Sequence, residues 1–382
     1  MRTGQTHLFN PGPARVPAQG PRLATVAQGD LMPGLVRDLR PVFGTTEAEM
    51  LFQPGTATAA WETATSNTLS PGDKVLVACH GQFSTLWGDL AAMLGLDPVV
   101  VHAPWGAAAP VDQIDRLLGA DVQGEIKAVF VTHCETSTGV VSDLAAVRRA
   151  LDSSFHEALL FVDGSSSIGS MPFAMDAWGV DIAVTGSRKG MMMPAGLALL
   201  AVGPRALDAA MTARMRRAYH DFNDMRAPGA VPADLLSGLR VALDRLHAEG
   251  LHAVHTRHRR LAEGLRRGVE ALGLSLVAEW RTTCSDTVTA VRVPEGVDAR
   301  EVLRIAEDDY NAAFGAGLGP LAGKAFRIGH LGDINEGMVL TALSLAELAL
   351  MRAGARVVPG AGVGAAQAWF ASGIPSRVLA AE

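Results

Sequence analysis

Between residues 55 and 202 short apolar runs recur, most of them separated by stretches of helical spacing. The runs are "KVLVAC", "PVVVH", "KAVFVTH", "ALLFVD", "DIAVTG" and "GLALLAV". Between them "TATAAWETATSNTLS", "STLWGDLAAMLG", "VDQIDRLLGA" and "DLAAVRRALDSS" place apolar residues at helical intervals. Runs of four to six apolar residues that do not alternate with polar ones are buried on both faces. Strand and helix in alternation therefore predict an α/β chain with a mainly parallel sheet between helical layers. In such sheets ligands bind beyond the carboxyl ends of the strands.

The pattern changes further on. From Ala233 to Leu272 a long helical pattern is broken near Gly250, and reads as a link into a second unit. "TVTAVRVPE" reads as an alternating strand, "DAREVLRIAEDDY" as a helix, "KAFRIGHLGD" as a strand and "EGMVLTALSLAELALMRAG" as a closing helix. The predicted division is an N-terminal arm (1–20), a large domain (21–250) and a smaller α+β C-terminal domain (251–382), with a short helix and a loose tail at the end.

Lysine usage narrows the search for chemistry. Of 33 Lys and Arg residues only Lys74, Lys127, Lys189 and Lys324 are lysines. Lys74 and Lys127 read as solvated residues at turns, and Lys324 lies in a Gly-rich stretch. Lys189 stands in "DIAVTGSRKGMMMPAGLALLAV", between two runs that both read as buried strands. An ammonium there is paired, solvated in a cleft or chemically engaged, because burying it bare is costly. A desolvated lysine also loses its proton and attacks carbonyls, which arginine cannot do.

Other strand ends carry polar residues too. "FVDGSSS" puts Asp163 just past an apolar run, "VTHCETSTG" puts Thr136 and Ser137 past another, and Gly55, Thr56 and Ala57 open a helix that Thr56 or Thr58 is placed to cap. Together these suit pyridoxal 5'-phosphate (PLP). A lysine binds its aldehyde, an aspartate holds its ring nitrogen protonated, and a helix start offers N–H groups to its phosphate. Ser187 and Arg188 are placed to complete the phosphate cradle.

These segments resemble the class V aminotransferases of fold type I, and among them the serine–glyoxylate and aspartate–glyoxylate group. The resemblance runs from "NPGPARVP" through "AAWETATSNTLSPGDKVLV" and "HCETSTGVVSDLAAVRRALD". It continues through "FVDGSSSIGSMPFAMDAWGVDIAVTGSRKGMMMPAGL" to "GAGLGPLAGKAFRIGHLGDINE". It implies a large domain with a seven-stranded sheet and a homodimer that shares its sites. Lys189 would be the Schiff-base lysine, which moves a proton at the substrate α-carbon. Asp163 would pair with the ring nitrogen, Phe83 stack on the ring, Thr136 approach its 3-oxygen and Ser165 lie under it. Thr56, Ala57 and Thr58 would hold the phosphate. Arg327 would bind the substrate carboxylate, with Pro11 and Gly12 beside the substrate. The implied reaction moves an amino group from serine, alanine or aspartate to glyoxylate or pyruvate in two half-reactions. A PLP-dependent lyase, or a weakly catalytic member with a binding role, are the alternatives.

The sequence departs from the family's pattern in places. The usual "GSQK" is "GSRK", and the Gly-Ser-Gly-Thr-Gly helix start is Gly55-Thr56-Ala57-Thr58-Ala59. After "YHDFNDM", the stretch "RAPGAVPADLL" lacks the Tyr-Thr-Pro motif that gives phosphate contacts across a dimer interface, and Arg188 is the candidate replacement. "ATVAQGDLMPGLVRDL" lacks the acidic-His-Arg motif that relatives place near the substrate.

Composition excludes other classes. A formal net charge of -6 argues against a nucleic-acid binder that relies on a basic field. Cys79, Cys134 and Cys284 are too far apart for a zinc ribbon. No apolar stretch approaches the ~18 residues of a membrane span, and the N-terminus lacks a signal-peptide core, so a cytoplasmic protein is predicted. His252, His255 and His258 drift around a helix without a carboxylate, and read as a solvated face rather than a metal site.

Overall fold

The computed structural model describes residues 6–13, 28–227 and 229–372. The chain opens with β1 (His7–Phe9) and α1 (Gln28–Phe43), then enters the larger sheet at β2 (Glu49–Gly55). It continues through α2 (Ala57–Thr68), β3 (Lys74–Cys79), α3 (Gln82–Met93), β4 (Asp97–His102), α4 (Val111–Ala120) and β5 (Ile126–Thr132). A two-stranded ribbon of β6 (Cys134–Glu135) and β7 (Val140–Val141) follows, then α5 (Leu144–Ser153), β8 (Leu159–Asp163), β9 (Ile182–Gly186) and β10 (Gly196–Val202). The sheet order is β2-β10-β9-β8-β5-β3-β4, and β10 alone runs against its neighbours. The six runs read from the sequence are six of these seven strands. The seventh, β2, is the segment "EMLFQPG".

Every residue of β8 and β9 is buried, as unbroken apolar runs require. Alternate side chains leave the sheet on opposite faces. On one face Leu76, Val129, Leu160 and Leu199 pack with Leu35 and Leu39 of α1. On the other, Trp61, Trp87, Phe130 and Phe161 form a stack with centroid separations of 5.5, 4.7 and 5.0 Å. Offset stacks of this kind add to the area they bury.

After β10 come α6 (Pro204–Ala210), α7 (Phe222–Met225), α8 (Ala233–Glu249) and α9 (Leu251–Ala271). The break between the last two falls at Gly250, whose φ of 85° is the left-handed conformation glycine adopts freely. The second sheet contains β11 (Ser275–Leu276) and β12 (Val288–Arg292). After α10 (Ala299–Tyr310) it gains β13 (Ala312–Ala316) and β14 (Ala325–Gly329). Its order is β1-β13-β14-β12-β11, so the N-terminal strand adds itself to the edge, parallel to β13. The first residues of "GAGLGPLAG" end β13, and the rest connects it to β14. Helices α11 (Glu336–Arg352) and α12 (Ala361–Ala371) close the chain, and Leu265, Val302, Phe326, Ile328 and Leu343 share a separate apolar core.

The expected solvated histidine face is corrected at one position. His258 is buried, its Nδ1 2.7 Å from the Val254 carbonyl and its Nε2 accepting from Gly332 N at 3.0 Å. It bridges α9 to the loop after β14, because the return of that loop brings an N–H that needs an acceptor. Among the described residues no helix is long and apolar enough to cross a membrane. The predicted loose tail beyond residue 372, residues 1–5 and 14–20 of the arm and residues 24–27 of "ATVAQGDLMPGLVRDL" lie outside the described residues, as does Pro228 in the departing segment.

Candidate active site

Beyond the carboxyl ends of β8 and β9 a cavity of about 220 Å³ opens beside the start of α2. Thr56, Ala57, Thr58, Phe83, Thr136, Asp163, Ser165, Arg188 and Lys189 all line it. Nine residues drawn from five separate stretches are therefore brought together. Arg327, Pro11 and Gly12 adjoin the cavity instead of lining it.

Lys189 sits in the tight loop joining β9 to β10. Ser187 Oγ donates to the Pro194 carbonyl (2.7 Å) and accepts from Leu197 N (3.2 Å). That hydroxyl closes the loop, while Ser187 itself lines the cavity beside Arg188. Met192 N donates to the Lys189 carbonyl at 2.9 Å, and the side chains of Met191, Met192 and Met193 are buried. The three methionines anchor the loop from below. At Gly190 a Cβ would lie 2.2 Å from the Ile168 carbonyl oxygen, so only glycine lets the loop approach the turn after β8.

The Lys189 amine donates to Ser166 Oγ at 2.6 Å and to Thr136 Oγ1 at 3.3 Å, and lies 5.7 Å from the Phe83 ring centroid. Burial pulls its pKa below the ordinary lysine value; the charges of Arg188 and Arg327 act the same way, against Asp163 and Cys134. Asp163, at the end of β8, accepts from Ser165 N at 2.9 Å and from the Ser165 hydroxyl, both at Oδ1. Burial pushes its carboxyl up, and the Ser165 hydrogen bonds and the Lys189 charge oppose that shift.

The start of α2 borders the same space. Thr56 is the N-cap residue, with extended backbone (φ −108°, ψ 171°), yet its side chain makes no capping hydrogen bond. The expected cap is absent, and Thr56 and Thr58 are exposed. A Cβ at Gly186 would come within 3.3 Å of Ala57 N, so glycine at the end of β9 keeps the approach to that N–H open.

Arg327, on β14, is held from two sides. Nε donates to the Ala316 carbonyl (2.8 Å) and Nη1 to the Thr136 carbonyl (3.2 Å). Burial lowers its pKa to about 10. Gly12 lies against Lys189, where a Cβ would be 3.1 Å from Lys189 Cε, and Pro11 beds on Gly315 and Gly329.

The sequence reading missed Ser166, Trp61 and Glu135. Ser166 stands in a run of three serines with nothing to single it out, and Trp61 reads as an ordinary core residue of α2. Glu135 was visible as an acidic residue just past an apolar run.

A doubly covered, mainly parallel sheet with a lysine, a buried carboxylate and a helix start at one strand-end cavity defines the fold type I transferases. The class-V aminotransferase family model matches residues 31–320, and the chain belongs to that family. It is 46% identical to L-aspartate–glyoxylate aminotransferase of Paracoccus denitrificans, covering 96% of both chains. It is 47% identical to serine–glyoxylate aminotransferase of Methylorubrum extorquens, covering 97% of both. The fold superposes on ureidoglycine–glyoxylate aminotransferase from Bacillus subtilis with a TM-score of 0.88 at 27% identity, covering 97% of this chain and 99% of that one.

Proposed function

We propose that the chain is a PLP-dependent aminotransferase that passes an amino group from serine, alanine or aspartate to glyoxylate or pyruvate by a ping-pong mechanism. The observation that carries this reading is one cavity holding a desolvated lysine, a buried carboxylate and an open helix N-terminus. The residues fit the cofactor. No hydrogen-bond partner reaches Asp163 Oδ2 among the described residues, so it is free to accept from a protonated ring nitrogen, whose charge would offset the burial of the carboxylate. The N–H groups at the start of α2 suit a phosphate. Arg188 lines the cavity, is exposed and forms no ion pair among the described residues, so its charge is available there.

Bound there, PLP would supply an electrophilic aldehyde and an electron-withdrawing ring. Lys189 supplies the nucleophile, and its lowered pKa enlarges the neutral fraction that can attack or accept a proton. Ser166 Oγ and Thr136 Oγ1 orient its Nζ for moving the proton at the substrate α-carbon. Phe83 and Ser165, which both line the cavity, would face the ring. Arg327 Nη2 has no hydrogen-bond partner among the described residues, and with Nη1 it presents a fork for a carboxylate, beside Pro11 and Gly12. The names of the two similar glyoxylate aminotransferases support the donor and acceptor classes.

The same reading makes the protein a cytoplasmic homodimer with an arm (1–20), a large domain (21–250) and a small domain (251–382); the separate apolar cores support the division. The test is the visible spectrum of the PLP-loaded protein during separate additions of serine, aspartate and alanine, with Lys189→Ala as control. The expected result is loss of the bound cofactor's band with one donor and its return with glyoxylate or pyruvate. A band that answers to none, or product formed without a keto acid, overturns the aminotransferase reading in favour of a binding role or a lyase.

A further inference from the structure

The short strand β6, just after β5, ends in a buried carboxylate that the mechanism above does not use. Glu135 is 0% exposed and has no ion-pair partner among the described residues. A buried anion without a cation is costly unless hydrogen bonds replace its water, and here they do. Oε1 accepts from Phe83 N (3.3 Å), Ser137 N (3.1 Å) and Ser137 Oγ (2.7 Å). Oε2 accepts from Ser84 N (3.0 Å) and Ser84 Oγ (3.1 Å). Phe83 and Ser84 lie in the first turn of α3, where backbone N–H groups lack helical partners and the dipole favours negative charge. The fit is close: a Cβ on Gly81 would lie 2.3 Å from Glu135 Cγ. Ser137 Oγ extends the tie by accepting from Gln82 N at 3.0 Å.

Both segments joined by this carboxylate carry walls of the cavity. One presents the Phe83 ring beside Lys189. The other presents Thr136, whose hydroxyl receives the Lys189 amine and whose carbonyl receives Arg327. Three charge-assisted hydrogen bonds, from Phe83 N, Ser84 N and Ser84 Oγ, therefore fix the ring wall relative to both functional cations, and the two from Ser137 stiffen the segment that carries Thr136.

We propose that Glu135 is a positioning residue for this site, which sets Phe83 and Thr136 against Lys189 and Arg327 without touching cofactor or substrate. The proposal rests on the cofactor reading above. Glutamine at this position offers one acceptor oxygen, and its amide turns at least one of the N–H or hydroxyl donors into a donor–donor contact.

The experiment titrates cofactor-free wild type, Glu135→Gln and Glu347→Gln with PLP. Binding is followed by tryptophan fluorescence, since Trp61 lines the cavity, and by circular dichroism of the bound cofactor. Glu347 is a matched control. It too is buried and accepts backbone N–H groups near a helix start, from Gly360 at 2.8 Å and Val363 at 3.1 Å, but in the other core. Both variants are expected to melt below wild type. Glu135→Gln alone is expected to bind PLP roughly tenfold more weakly, with altered dichroism of the bound cofactor. If Glu135→Gln binds PLP as tightly as Glu347→Gln with the wild-type dichroism, the proposal is overturned. If Glu135→Gln fails to fold, Ser137→Ala decides: weaker binding with altered dichroism supports the proposal, and wild-type behaviour overturns it. A wild type that does not bind PLP overturns the cofactor reading itself, and this inference with it.

Discussion

Replacing Gly12 with alanine is expected to loosen the N-terminal arm from the site while leaving the fold intact. Gly12 holds a φ of 145°, a conformation nearly closed to residues with a Cβ, at about 1–3 kcal/mol. The added methyl would also press on Lys189 Cε at 3.1 Å. The arm's hold against this strain is short, with Phe9 buried against Phe314 as its one core side chain among the described residues. Its strand β1 is three residues long and, among the described residues, pairs only with β13, and Asn10 and Pro11 rest on Gly315 and Gly329. A penalty of 1–3 kcal/mol shifts the balance of docked and undocked arm by roughly 5- to 150-fold. Hydrogen exchange at residues 7–9 reads this directly, because the His7 amide donates to the Asn311 carbonyl at 2.7 Å. Exchange there is expected to accelerate, KM for the amino donor to rise, and the melting temperature to change little. An arm that exchanges at the wild-type rate with KM unchanged would refute the reasoning.

Three further changes probe the site. Burial raises the Asp163 carboxyl in the cofactor-free protein, so its ionised form opposes folding. Stability is greatest below the unfolded value of 3.8 and falls as pH rises through the folded one. Asp163→Asn should remove that decline in melting temperature while weakening PLP retention; an unchanged pH slope contradicts this. Arg327→Lys loses the fork that reaches Ala316, Thr136 and a carboxylate together, so KM should rise roughly 10- to 100-fold with a smaller change in kcat. A kcat loss at constant KM would place Arg327 elsewhere in the mechanism. Arg188→Gln should weaken PLP binding several-fold and flatten its salt dependence, since the guanidinium is exposed; unchanged affinity removes Arg188 from the phosphate site.

The strands of the large sheet are legible because their signal is local. β3 and β10 coincide with the apolar runs "KVLVAC" and "GLALLAV", and each run needs only its own residues to declare burial on two faces. Lys189, Asp163 and the start of α2 are legible for the same reason, as polar residues where an apolar run stops. Local signals fail at β2, where Pro54 and Gly55 blur the run, and at β13, "AAFGA", whose small residues carry no periodicity.

Tertiary structure decides what depends on partners distant in sequence. Ser166 matters because the fold brings it 2.6 Å from the amine of Lys189, 23 residues away. Glu135 becomes a tie only when α3, whose Phe83 lies 52 residues earlier, delivers its N–H groups. His258 is buried because Gly332, 74 residues later, needs an acceptor. Ser187 lines the cavity, but its hydroxyl closes the loop, engaged by the Pro194 carbonyl and Leu197 N. Apolar periodicity is written residue by residue along the chain, whereas a hydrogen bond between remote segments exists only once the sheet has set their distance. The sequence by itself therefore determines the layers and the strand ends at which chemistry gathers, and the folded chain decides which polar groups there stay free to act.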